Sequence, residues 1–240
     1  MARTNQRLRL VLPLCSLVAL PAAGGALPVP SPQRASAVEG QWTWTSGSDR
    51  VSYWRLRGFH GTKGAAASGN RPGARHSSVS WKGASGVLWL FGGDGYGLGS
   101  TGYLNDLWRW DGIHWTWMSG SEEAKQPGVY GTKGVAAPTN VPGARVGAIS
   151  WTDASGGLWL FGGYGYTQDG LGYLNDLWKW NGTSWTWIAG SSTRNQPGSY
   201  GTKGMASPSN VPGARDRSVS WTDASGSLWL FGGSRFAQSG

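Results

Sequence analysis

Cysteine is almost missing from this chain. The only one in 240 residues is Cys15. Beyond that position the chain can form no intramolecular disulfide, no thiol nucleophile and no cysteine-based zinc site. Charge is sparse too: Asp, Glu, Lys and Arg make up 14% of the chain, which with its aromatic, Gly-punctuated composition excludes long amphipathic helices, a coiled coil and a wholly disordered chain. The three histidines, His60, His76 and His114, fall at unrelated places. No His/Asp/Glu spacing matches a metal-ligand set, and no Asp series fits a calcium-loop pattern. There is no run of Lys and Arg and no basic helix of the kind that grips nucleic acid. What the chain has in abundance is Gly (41) and Trp (17), with 12 Pro. Aromatic residues punctuated by turn formers predict an all-β protein.

The longest apolar stretch, residues 10–23, is broken by Pro13 and Pro21 and preceded by Arg3, Arg7 and Arg9. It is shorter than the about 20 residues that span a bilayer. A basic start, a short apolar run and small residues beyond it predict a secretory signal peptide and Pro/Ala-rich leader over residues 1–37. Ala22-Ala23-Gly24 is one candidate cleavage site, and Ala35-Ser36-Ala37 offers the better small-x-small site; an uncleaved N-terminal anchor is the alternative. Leu14, preceding Cys15, stands where a lipoprotein signal needs a small residue, which argues against lipid attachment. Removing residues 1–37 lowers the net charge from +9 to +5. The remaining excess is spread out apart from Arg50, Arg55 and Arg57. The expected location is therefore secreted, periplasmic or cell-surface, with no membrane span after cleavage.

The strongest signal is an internal repeat. Pro72-Gly73-Ala74-Arg75 returns at residues 142–145 and 212–215, and Leu88-Trp89-Leu90-Phe91-Gly92-Gly93 at 158–163 and 228–233, each 70 residues apart. Residues 118–163 and 188–233 share 31 of 46 positions at that offset. The copy at the N-terminal side is looser: Trp42-Thr43-Trp44 lies 73 residues before Trp115-Thr116-Trp117. The repeat units are read as residues 41–110, 111–180 and 181–240, within a domain of residues 38–240. Within one unit, short apolar runs alternate with turns. Ser150-Trp151 and residues 158–161 predict two strands separated by Asp153-Ala154-Ser155-Gly156. The pair Gly162-Gly163 is expected to end the second strand, because Gly alone takes positive φ without steric cost. Residues 174–180 and 185–188 predict two more strands, joined through Asn181-Gly182, a two-residue hairpin signal.

Four short antiparallel strands per unit is what a propeller blade needs. Arg75-His76-Ser77, the strand running into Phe91-Gly92-Gly93, Asn105-Asp106-Leu107-Trp108 and the late Trp115 resemble the kelch motif. The chain looks like a kelch-repeat β-propeller of the broad superfamily that includes the central domain of galactose oxidase. The resemblance covers residues 41–233. It departs from the motif in its period, 70 against about 50, with the excess in residues 120–141 and 190–211. It departs again in carrying His76 only once, with Val146 and Asp216 at the matching places. Propellers close with typically about 4–8 blades. About three blades are expected here, an incomplete ring that is either part of a longer reading frame or completed by self-association of chains.

The recurring residues are expected to be scaffold: Arg75, Arg145 and Arg215 bonding carbonyls between blades; Gly92, Gly93, Gly162, Gly163, Gly232 and Gly233 at strand ends; Asp106 and Asp176 satisfying turn amides; Trp117 and Trp187 packing blade on blade. Gly61-Thr62-Lys63-Gly64 and its copies lack the spacing of a phosphate loop. If these loops share a face, Lys63, Tyr130, Lys133, Tyr200 and Lys203 are the expected ligand-facing residues, for an anion or glycan. Asp94, Glu122, Glu123, Asp169, Arg194, Asp216 and Arg217 do not repeat, and departures from a repeat are where specificity can reside. No catalytic, cofactor-binding or metal residue is singled out. The copper-radical chemistry of galactose oxidase needs a thiol this region lacks. Asn181-Gly182-Thr183 is a glycosylation sequon where the host glycosylates secreted proteins. The expected function is a non-catalytic module recognising protein or glycan through blade-edge loops. The alternatives are a sugar mutarotase or similar carbohydrate-active propeller, or a purely structural repeat of a larger surface protein.

Overall fold

The computed structural model describes residues 44–47, 56–83, 86–224 and 226–235, all within the second of two compact units, residues 36–240. The leader with its cleavage sites, Cys15, Trp42-Thr43, Arg50 and Arg55 lie outside the described residues. The described part is all-β and antiparallel. Among the described residues no helix is long and apolar enough to cross a membrane.

In the first sheet, β1 (Arg75–His76) and β2 (Val79–Lys82) lie end to end along β3 (Leu88–Tyr96). Strand β3 pairs with β4 (Thr101–Trp110), and β4 with β5 (Trp115–Ser119). The second sheet repeats this with β6 (Arg145–Val146), β7 (Ile149–Thr152), β8 (Leu158–Thr167), β9 (Gly170–Trp180) and β10 (Trp185–Ala189). In the third copy β11 (Arg215–Asp216) pairs with β14 (Ser234–Arg235), and β12 (Val219–Thr222) with β13 (Leu228–Phe231). Register is the same throughout: Trp81 faces Trp89, Trp151 faces Trp159 and Trp221 faces Trp229. The third copy is thus two separate two-stranded sheets, and among the described residues the sheets of the three copies do not close into a ring.

Two local expectations are corrected. The Gly pairs do not end β3 or β8. Both strands run on through Gly92-Gly93 and Gly162-Gly163, with the register shifting at that point as in a β-bulge. Both glycines of each pair have positive φ. A Cβ on Gly163 would come within 2.7 Å of the Val146 carbonyl, so the bulge lets the edge strand approach closely. Only at Gly232-Gly233 does the strand stop, between β13 and β14. The second correction concerns Asn181-Gly182, which is part of a four-residue loop and not a two-residue turn: Trp180 pairs directly with Trp185. The Asn181 side-chain oxygen accepts from the Thr183 and Ser184 amides at 2.9 Å. Asp111 does the same for Ile113 and His114. An Asx-capped loop competes successfully with the tight turn.

The long period has a structural explanation. The Ala137 backbone bridges to Trp185, the Gly134 amide donates to the Trp187 carbonyl at 2.8 Å, and the Asn140 side-chain amide donates to the Trp185 carbonyl at 3.1 Å. Residues 59–71 make the matching contacts on β5, with Ala67 bridging Trp115 and Gly64 donating to Trp117. Residues 59–71 and 129–141 therefore each cover the open edge of the sheet that comes after them, an edge that would otherwise invite pairing with another chain.

Neighbouring sheets pack face to face. Val79, Trp81 and Phe91 of the first sheet share a core with Leu158, Leu160, Trp180 and Trp185 of the second. The Trp81 indole donates to the Trp159 carbonyl at 3.0 Å, and Trp151 to the Trp229 carbonyl at 3.3 Å. Between the two halves of each inner edge, Ser77, Gly147 and Arg217 all have φ between 52° and 62°. Only Gly accepts this region freely. Ser77→Gly is expected to raise stability to chemical denaturation by about 1 kcal/mol; no gain would show that the Ser77 hydroxyl offsets the strain.

Candidate functional site

The repeat residues assemble into a buried ion-pair network. Arg145 donates to both oxygens of Asp176 at 2.7 Å, and to the Gly143 and Gly162 carbonyls at 2.9 and 3.0 Å. Asp176 also accepts from the Tyr130 hydroxyl and the Trp178 indole, each at 2.8 Å. In the first repeat Arg75 binds Asp106 in the same forked manner, at 2.5 and 2.7 Å. The Trp108 indole donates to Asp106 at 2.6 Å, and His60 takes the place of Tyr130 at 3.2 Å. Burial alone would raise the Asp106 carboxyl, but the charge of Arg75 and the hydrogen bonds from Arg75, His60 and Trp108 hold it well below the usual carboxylate range. The forked guanidinium geometry is what makes such a pair strong.

This overturns three assignments. The arginines bond carbonyls of their own repeat and, in the first two copies, an Asp, not carbonyls between repeats. Asp106 and Asp176 hold Arg and indole donors instead of turn amides, because β4 and β9 bring them within reach of the Arg75 and Arg145 guanidiniums. Tyr130 is buried, with its ring against Trp178 and Trp187 at 5.0 and 5.1 Å, so it faces no ligand. Burial first, and then the Asp176 charge, raise its hydroxyl well above the ordinary value. Tyr200, its counterpart in the third copy, is exposed and accepts from Arg215 at 2.8 Å.

The lysines have their own partners. Lys63 donates to the Gly120 carbonyl at 3.1 Å and lies 4.3 Å over the Trp117 ring; Lys133 donates to Gly190 at 2.9 Å and lies 4.3 Å over Trp187. Both seat an edge segment on an indole. Lys203 is exposed. The indoles of Trp117 and Trp187 donate to the Ser119 and Ala189 carbonyls, each at 2.8 Å.

A different set of residues converges at the joint between the first and second sheets. The extended ends of β4, β8 and β9 bring Tyr103 to within 6.3 Å of Tyr164 and 6.1 Å of Tyr166, ring to ring, and Tyr173 lies 5.0 Å from Tyr164. All four rings are half-buried. Asp94 faces Tyr103 across the ladder and lies 3.7 Å from His76. Burial, then Asp94, Tyr164 and Tyr166, raise the Tyr103 hydroxyl, while Arg217 opposes them. Arg217 donates its amide to the Gly147 carbonyl at 2.7 Å and lies 3.7 Å from Asp216. An open depression of about 450 Å³ adjoins this cluster, lined by Arg75, His76, Asp94 and Tyr96 among others.

Asp94, Asp216 and Arg217 are visible in the sequence as departures from the repeat. The tyrosines escape that reasoning because they recur in part, at residues 96 and 166 and at 103 and 173; only the replacement of Asp94 by Tyr164 marks the place. The other non-repeated charges serve the rim. Glu123 accepts from the Gly99 amide at 3.2 Å, Glu122 acts on Lys63 through charge, and Arg194 donates to the Asp169 carbonyl at 3.1 Å. Half-buried phenol rings beside a carboxylate, an imidazole and a guanidinium offer apolar faces with polar margins, suited to stacking and hydrogen bonding with a hydroxylated ligand. Among the described residues no group of three His, Cys, Asp or Glu could hold a metal ion. No protein-family model matches the chain, and no curated protein matches it.

Proposed function

We propose that this chain is a kelch-type β-propeller segment, exported from the cytoplasm, that acts as a non-catalytic glycan-binding module. Its ligand is held by the Tyr103, Tyr164 and Tyr166 rings with Asp94, His76 and Arg217 at their margin. The observation that carries this reading is the placement of non-repeated charges around a half-buried tyrosine cluster, while the repeated Arg75, Arg145, Asp106 and Asp176 are occupied with folding. The propeller reading draws support from the small antiparallel sheets packed face to face, with inner edges in contact. The Ser150 hydroxyl donates to the Ser80 carbonyl at 3.3 Å, and Ser220 to Ser150 at 3.4 Å. Export draws support from the basic, apolar and small-residue order of residues 1–37 and from the lack of cysteine after Cys15.

Binding of the full chain to a glycan array, then titration calorimetry with the best hit, is the test. Tyr103→Ala and Tyr164→Ala should each weaken binding about tenfold or more, while Lys133→Ala should leave it unchanged. An empty array from folded protein rejects the glycan ligand. If a pull-down then also fails, binding altogether is rejected.

A second reading, a mutarotase-like enzyme, is favoured by one residue. Asp216 is buried, and its Oδ1 has no hydrogen-bond partner. Burial pushes its carboxyl up, with Arg217 opposing, as a general acid requires. Anomer exchange tracked by NMR, unaffected by added protein, removes that reading.

A further inference from the structure

The face that each sheet turns to the next is exposed on the third. Val79, Trp81, Trp89 and Phe91 lie against the second sheet, and Ile149, Trp151, Trp159 and Phe161 against the third. Their counterparts Val219, Trp221, Trp229 and Phe231 are 57%, 48%, 50% and 70% exposed, with the Trp221 and Trp229 rings stacked at 6.4 Å. The covering face shows the converse. In the second sheet Leu158, Leu160, Trp180 and Trp185 are at most 2% exposed. In the first sheet Leu88 is 45% exposed, and Leu90, Trp110 and Trp115 are half-buried. An exposed apolar face of this size on one side of a sheet marks an interaction surface.

We propose that the third-sheet face of one copy docks on the first-sheet face of a second copy, head to tail. The chain itself makes the case for that occupant. Within one molecule the two kinds of face already meet, Phe91 on Trp185 at 5.6 Å and Trp89 near Trp180 at 6.3 Å. The same step of 70 residues, carried from the third repeat to the first of a second copy, sets Phe231 on Trp115 and Trp229 by Trp110. It also aims the Trp221 indole at the Trp89 carbonyl, in the manner of Trp81 on Trp159 and Trp151 on Trp229. Both faces are therefore already shaped for each other, and the contact is heterologous: it leaves a free face at each end, so chains form a ring if the rotation closes and a filament if it does not.

The test is sedimentation velocity on the full chain with Cys15→Ser, across a range of concentrations. The parent should associate reversibly as concentration rises. Trp221→Glu spoils one face and Leu88→Glu the other. Each variant alone should require about tenfold or more higher concentration to associate, with near-ultraviolet circular dichroism showing that both remain folded. Mixed together they should form a dimer and stop there, because one intact face remains on each. A parent that stays monomeric throughout overturns the proposal, as it would if another segment of the chain or a different protein covered the face. So does a Leu88→Glu variant that associates like the parent, which would mean that the two third-sheet faces meet each other. Tyr103→Ala should associate normally, so loss of glycan binding and loss of association are separate outcomes.

Discussion

Arg145→Met is expected to destabilise the folded chain by about 3–5 kcal/mol, as measured by denaturant unfolding. Arg145 and Asp176 are 1% and 0% exposed at their side chains. Removing the guanidinium leaves a buried carboxylate with only the Tyr130 hydroxyl and the Trp178 indole as donors. The penalty is for an uncompensated buried charge, so the double variant Arg145→Met with Asp176→Leu should recover part of the loss. Arg75→Met should also be costly, because Asp106 is as buried as Asp176 and has His60 and Trp108 as its other partners. Arg215→Met should cost under about 1 kcal/mol, since its described partners are two carbonyls and the Tyr200 hydroxyl at a partly open site. Equal losses at all three arginines would mean that the Arg–Asp pairing contributes nothing beyond the carbonyl bonds.

Trp178→Ala is expected to cost about 3–5 kcal/mol, a large share of the about 5–15 kcal/mol that holds a typical domain folded. The Trp178 ring is fully buried, faces Leu160 across the ladder and packs against Tyr130 and Trp185. Truncation leaves a cavity between the second sheet and its edge segment and takes a donor from Asp176. Trp178→Phe separates the two effects, because it fills much of the cavity but cannot donate. Trp221→Ala removes the same side chain from an exposed position and should change stability by under about 1 kcal/mol at low protein concentration. A small loss at Trp178 would show that the buried indoles are not the cement of the sheets.

Much of the architecture is legible in the order of residues alone. The strands at residues 158–161, 174–180 and 185–188 stand out because aromatic and branched runs bounded by Gly and Asn are local signals. Boundaries fail where local and long-range preferences disagree. Gly162-Gly163 looks like a terminus, but the next sheet approaches so closely there that Gly is needed inside the strand; a Cβ on Gly162 would sit 2.7 Å from the Arg215 carbonyl. The candidate site is legible only in part. Repetition points to Tyr130 and Tyr200 as equivalents, yet one is buried and the other open, because β10 lies against residues 130–141 while residues 200–211 have no matching strand among those described.

By itself, the sequence determined the β class, the 70-residue step and the places of the main strands, since aromatic and branched runs are local signals and they recur from copy to copy. Only the tertiary structure decided which donor meets Asp176, that residues 129–141 cover an edge, and that Tyr103, Tyr164 and Arg217 from three different repeats share one surface. Such contacts depend on which strands lie side by side and how closely the sheets pack. That is a matter of register and distance between residues far apart in the chain, and no periodicity of side chains encodes it.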